Sequence, residues 1–170
     1  FSVGIHTRLV RIRESLSYSS RGGKIMASLR AVRLAVSRPL RFDVEVTTPR
    51  GLEPRRASGV TVSNNLLAEG HIPHPDAIDR GVLGVYVVDP MPPLELFKLC
   101  IQVLLGSWKG NPLVTEKEVT FVSLRFPRRK SSAQALIDGE LVKLEQQVDI
   151  HIHHRGLHVI VPAEQETESI

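Results

Sequence analysis

The brevity and spacing of the apolar runs restrict this chain more than any other feature. Arg41-Phe42-Asp43-Val44-Glu45-Val46 alternates apolar and polar residues at every step, the period of a strand with one buried face. Further short runs follow at Ser58–Ser63, Val82–Val88, Glu118–Arg125, Ala133–Ile137, Gln147–His153 and Leu157–Val161, separated by Gly, Pro, Asn and Asp. Residues 1–13 read as a strand or two ending in Leu9-Val10-Arg11-Ile12-Arg13, and Thr48-Pro49-Arg50-Gly51 reads as a turn. Helical spacing occurs only twice. Ile25, Met26, Leu29, Val32 and Val36 recur at three and four within Gly23–Ser37, and Leu94, Phe97, Ile101, Leu104, Leu105 and Trp108 do so in a second segment. The broad apolar surface of that second helix is expected to pack into a core. About eight strands and two helices without regular β–α alternation argue against a doubly wound parallel sheet. The expectation is a mainly β (α+β) fold, an antiparallel sandwich-like domain with two helices.

The chain has 170 residues, 42% of them hydrophobic, enough for one domain with its own core. Residues 1–163 are assigned to that domain and 164–170 to a flexible acidic tail. Cys100 is the single cysteine, which excludes an internal disulfide and a cysteine-based zinc site and fits a reducing compartment. The longest apolar stretch, Leu94 to Trp108, is too short to span a bilayer and carries Glu95 and Lys98. The first residues show no secretory signal and no initiating methionine, so a piece of a longer protein is expected. Net charge is +4, and residues 1–41 hold nine Lys and Arg against the single acid Glu14. Such a surface attracts phosphates on nucleic acid or membranes, or is simply a solvated helix face.

Several chemistries lack their motif. There is no Gly-x-Gly-x-x-Gly, no Gly-x4-Gly-Lys-Ser/Thr and no Gly-x-Ser-x-Gly; Gly22-Gly23-Lys24 lacks the surrounding strand, loop and helix. His151, His153, His154 and His158 cluster late, but with Asp149 as the nearest acid they read as the polar face of exposed strands. Arg125, Arg128, Arg129 and Lys130 read as a solvated hairpin tip. Asp138-Gly139-Glu140 is different. Two carboxylates flank a glycine between two apolar runs, and in extended chain residues two apart share a face. Such a pair can hold Mg²⁺ or accept a hydroxyl proton beside a phosphate. On spacing alone, an Asp-Gly hairpin turn with a solvated glutamate is the favoured reading, because Asp-Gly is a common turn signal.

Taken in order, these stretches resemble the C-terminal domain of the diacylglycerol kinase and sphingosine kinase superfamily of lipid kinases, its bacterial branch above all. Val3-Gly4-Ile5 is similar to the Gly-Phe element that opens that domain, and Gly23–Val36 to its Gly-Lys-rich helix. Val62-Ser63-Asn64-Asn65 through Glu69-Gly70 resembles the Asn-Gly…Gly-Gly-Gly loop, and Pro75-Asp76-Ala77 through Leu83 the Pro-x-Ala…Asp-Asp-Gly-Leu-Leu-Asp segment. Ile137-Asp138-Gly139-Glu140 is similar to the Asp-Gly-Glu signature, and Val159-Ile160-Val161-Pro162 to the closing strand.

The resemblance implies a β-sandwich that forms the substrate side of a two-domain kinase using ATP and Mg²⁺ to phosphorylate a lipid hydroxyl. It implies Glu140 as the base, and Asp138 as an orienting carboxylate or a Mg²⁺ contact through water. Gly139 and Asn64 become cofactor-binding positions. Asp79 becomes a doubtful structural Mg²⁺ ligand, because Arg80 replaces an acid of the family and repels a cation. It implies a cytoplasmic protein, peripheral at the membrane, whose partners are a nucleotide-binding N-terminal domain and a lipid; an oligomer remains open. The family's Gly-Gly-Asp-Gly-Thr motif is missing from these residues, so the chain is expected to be inactive alone. Two alternatives stand beside this. One is a regulatory or scaffold module derived from such a kinase. The other is a nucleic-acid-binding β-domain, disfavoured because only 5% of the chain is aromatic and those residues do not alternate with basic ones.

Overall fold

The structure, a computed structural model, describes residues 1–14, 40–67, 75–76 and 80–156. The expected helix at 23–37, the expected strand at 157–161 and the tail at 164–170 lie outside the described residues. Twelve strand segments and two helices are described, arranged as two main antiparallel sheets. The expected class, mainly β and sandwich-like, is the observed one.

The six-stranded sheet runs in the order β11 (Glu140–Lys143), β10 (Gln134–Ile137), β1 (Ser2–Gly4), β4 (Gly59–Ser63), β7 (Leu83–Val88) and β8 (Val114–Val119). The four-stranded sheet runs β12 (Gln147–His151), β9 (Phe121–Arg125), β2 (Phe42–Thr48) and β3 (Gly51–Ala57). A small pair, β5 (Leu66–Leu67) with β6 (Pro75–Asp76), stands apart. Alternation decides which residues meet between the sheets. Val3, Val60, Val62, Val85 and Val87 of the larger sheet face Val44, Val46, Val122 and Leu124 of the smaller, closed by Phe126 and Leu144.

Two strands pass between the sheets without a loop. β3 becomes β4 through Ser58, and β8 becomes β9 through Thr120, the corner device of packed sheets. Ser58 is fully buried, yet each of its polar groups is satisfied. Its N–H donates to the Val88 carbonyl at 2.8 Å, its hydroxyl to the Leu40 carbonyl at 2.8 Å, and its carbonyl accepts from Ile5 N–H at 3.0 Å. The run Glu118–Arg125, read from sequence as one strand, is thus the end of one strand and the whole of another.

One side of the sandwich is closed by charge. Opposite Val44 and Val46 stand Arg55 and Glu53, which point inward on the edge strand β3. Arg55 bonds Asp89 and Thr115, each at 3.0 Å, and Lys117 pairs with Glu53. Inward charges and Pro54 make both edges poor templates for another strand.

The outer face of the larger sheet carries the helices. α1 (Ile5–Glu14) replaces most of the strand expected over residues 1–13. The alternation Val10-Arg11-Ile12-Arg13 mimics a strand, but Gly4 at φ +95° turns the chain back so that the helix lies against β1 and β10. A side chain at Gly4 would meet the Ser58 carbonyl oxygen at 2.3 Å, so the close passage depends on glycine. α2 (Pro93–Leu105) begins with proline in its first turn and ends at Gly106, φ +74°, with Ser107 N–H bonded to the Gln102 carbonyl at 2.9 Å. It buries Leu96 and Leu99 against Tyr86, Met91 and Trp108. Contrary to the sequence expectation, Leu94, Phe97, Ile101 and Leu105 face solvent.

Candidate functional site

The β10–β11 hairpin pairs Ile137 with Glu140, which leaves Asp138 and Gly139 as a two-residue turn. Both have positive φ, +48° and +93°, the geometry that gives a hairpin the twist of its strands. Asp tolerates the left-handed region better than most residues, and Gly adopts it freely. The local sequence therefore folds as an Asp-Gly turn, and the extended geometry that would put both carboxylates on one face does not hold. Glu140 stands opposite Ile137, on the sheet side that carries Ala135 and Val142, while Asp138 caps the bend. Both residues are exposed. Asp138 lies near the Phe1 backbone nitrogen, just before β1.

Strand register brings the other expected site residue to the same end of the sheet. Ser2 is opposite both Leu136 and Thr61, so β1 starts, β10 ends and β4 ends at one rim. Asn64 follows β4 directly and is exposed there; it accepts from the Asn65 side-chain amide at 3.2 Å. The Asp-Gly turn and Asn64 are separated by the two strand intervals from β10 to β4, about 10 Å. They share a rim and do not touch. Arg80, just before β7, belongs to the same rim and pairs with Glu118 at 2.9 Å. Asp79 lies outside the described residues.

Two features of this region were not foreseen. The first is Tyr86, two pairs in from Ser63–Gly84 at the rim. Its hydroxyl accepts from Leu67 N–H at 2.8 Å and donates to Glu116 at 3.0 Å, tying down the chain that leaves the Asn64 loop. Burial is the main cause that pushes its phenol up to about 12, with the Glu116 charge acting in the same direction. Gly84 makes room for the ring, since a Cβ there would lie 2.8 Å from Tyr86 Cε2. The pattern Gly84-Val85-Tyr86 in a run of apolar residues is the only sequence trace of this arrangement. The second is a cavity of about 210 Å³ below the hairpin, lined by Phe1, Ala135, Ile137, Val142, Leu144 and Val148 together with three polar residues of the segment 143–147. Among the described residues, none of α2 lines it.

Fit to a divalent cation is partial. Among the described residues no three His, Cys, Asp or Glu side chains converge. Mg²⁺ commonly takes one or two carboxylates and completes its shell with phosphate oxygens and water. Asp138 supplies at most such a single contact, and among the described residues His151, His153 and His154 form no metal cluster. His151 instead stacks on Phe121 at 4.4 Å, and His154 packs on Gly81.

No family model matches the chain. Among solved structures it is similar to a provisionally named diacylglycerol kinase from Bacillus anthracis strain Sterne, with 21% identity over 79% of this chain and 46% of that one, TM-score 0.48. A second structure of such a provisionally named kinase from the same strain gives 15% identity over 75% of this chain and 43% of that one, TM-score 0.49. A further diacylglycerol kinase structure from that strain gives 13% identity over 84% of this chain and 60% of that one, TM-score 0.47. The chain therefore spans about half the length of the solved structures it matches. At these values the likeness describes the course of the chain over part of each molecule and no more.

Proposed function

We propose that the chain is the substrate-side domain of an ATP-dependent lipid kinase. Glu140 takes the proton of a lipid hydroxyl, and Asp138 orients that hydroxyl or meets Mg²⁺ through water. The observation that carries this reading is the shared rim. Asp138-Gly139-Glu140 and Asn64, more than seventy residues apart, are the stretches that resemble two motifs of one kinase family, and the strand register brings both to one end of one sheet.

The chemistry suits an exposed rim. Phosphoryl transfer depends on in-line placement and neutralisation of charge more than on covalent help from the protein. Bound ATP supplies the γ-phosphoryl group, and Mg²⁺ offsets its charge. These residues contain no Gly-Gly-Asp-Gly-Thr to hold a nucleotide, so a second lobe has to bring it and exclude water from the carboxylates. The Asp-Gly turn holds Glu140 on paired backbone, so its position is set before that lobe closes.

The test uses the full-length protein, labelled ATP and a panel of lipids presented in vesicles or detergent. Glu140→Ala is expected to lower phosphotransfer by at least about a hundredfold, the usual worth of a positioned base, with an unchanged circular dichroism spectrum. Wild-type activity in the variant would remove Glu140 as base, and absence of lipid phosphotransfer in the wild type would remove the kinase reading.

A further inference from the structure

α2 is apolar on two sides. Leu96 and Leu99 are buried, at 1% and 6% exposure, whereas Leu94, Phe97, Ile101 and Leu105 are open to solvent at 64%, 46%, 40% and 63%. The exposed four recur at three, four and four and fall within one stripe of about 80° on the helix. The stripe is about 16 Å long. Leaving four large side chains in water along a single line is unfavourable unless something covers them.

The size and charge of the stripe favour one kind of cover. Its open surface is on the order of 400 Å², about half of what each partner of a stable dimer buries. A narrow apolar ridge on a firmly packed helix suits shallow burial at the boundary between lipid headgroups and acyl chains. Lys98 borders the stripe and is itself exposed, its ammonium 2.8 Å from Glu95. Within α2 the charges of Glu95 and Lys98 balance, so any preference for anionic headgroups comes from the +4 net charge of the chain as a whole. No described helix is long and apolar enough to cross a membrane, so contact through α2 is with one leaflet.

We propose that the Leu94–Phe97–Ile101–Leu105 stripe docks this protein on the surface of an anionic lipid bilayer. The docking deepens the lipid-kinase reading, since it gives an enzyme of that kind a route to a substrate that stays in the membrane, but its test does not need catalysis. Shallow burial of the ridge holds the protein on the leaflet while Lys98 lies at the level of the headgroups.

The experiment is co-sedimentation of the full-length protein with vesicles of phosphatidylcholine alone and of phosphatidylcholine with phosphatidylglycerol at about three to one. The wild type is expected to sediment with the anionic vesicles, and more weakly with the neutral ones. Phe97→Asp and, separately, Leu94→Ser with Leu105→Ser are expected to weaken that binding by at least about tenfold. Far-ultraviolet circular dichroism and Tm check the folding of each variant, and because these side chains are exposed the Ser variants should keep the wild-type Tm. Wild-type binding in both folded variants would overturn the docking surface, as would no vesicle binding by the wild type. A concentration-dependent dimer in sedimentation velocity that the Ser variants abolish would overturn it too, assigning the ridge to a second copy. Phosphotransfer to a short-chain, water-soluble lipid is measured in parallel. If it persists while vesicle binding is unaffected by the variants, the docking fails and the kinase reading stands; if vesicles bind through the ridge but no lipid is phosphorylated, the reverse holds.

Discussion

Tyr86→Phe removes one oxygen atom and tests whether the rim is braced from beneath. Tyr86 is 4% exposed, and its hydroxyl makes two bonds, from Leu67 N–H at 2.8 Å and to Glu116 at 3.0 Å. The first is worth about 1 kcal/mol, and its loss leaves a half-buried N–H without that partner. The second is charge-assisted, but Glu116 is exposed and water replaces much of what it loses. Together they set an expected loss of about 2 kcal/mol, or about 4–8 °C in Tm for a chain of this size. Urea denaturation followed by circular dichroism gives the first figure and a thermal scan the second. The ring should stay in place, because it rests over Gly84 and meets Trp108 edge-on at 5.7 Å. The phenol adds a pH signature. Its folded value, about 12, lies above the ordinary value near 10. Its stabilising contribution is therefore complete below pH ~10 and is lost as pH rises through about 12. The gap between wild type and Tyr86→Phe should narrow over that window. A variant within about 0.5 kcal/mol of wild type at neutral pH, or a gap constant across the alkaline range, would refute the reasoning.

Two further outcomes can be checked in the same preparations. Gly139→Ala should cost about 1–2 kcal/mol, because Gly139 holds φ +93° while a Cβ there meets nothing within 4 Å. The penalty is conformational, so Gly139→Asn should recover part of it in urea melts; equal losses for both would point to a contact instead. Burial pushes the Cys100 thiol up from its ordinary value, so its reaction with a disulfide reagent at pH 8 should be slow in the folded protein and fast in urea. Equal rates would place Cys100 outside the packed layer beneath α2.

What could be read from the chain follows from where local pattern and tertiary position agree. β2 alternates so strictly that its buried face, Val44 and Val46, is evident from the residues alone. β3 is hidden in the sequence because Glu53, Pro54, Arg55 and Arg56 look like a solvated turn; only the inward pairing with Lys117 and Asp89 explains them as a strand. α1 is not legible in the sequence because Val10-Arg11-Ile12-Arg13 has a strand's period over four residues, and the turn imposed by Gly4 is a matter of long-range approach to Ser58. The position of α2 is legible from its spacing, but periodicity marks an apolar face without saying whether core or another surface will cover it. At the candidate site the Asp-Gly turn was legible as local chemistry. The rim it shares with Asn64 was not, because that depends on β1 lying between β10 and β4, a pairing between distant parts of the chain.

Ser58 and Thr120 have a consequence for how the molecule comes apart. Each sits at the join of a backbone that serves first one layer and then the other. Peeling either layer away would drag the same two backbones out of its neighbour. Unfolding of the sandwich is therefore expected as a single transition, with coincident melts by different probes.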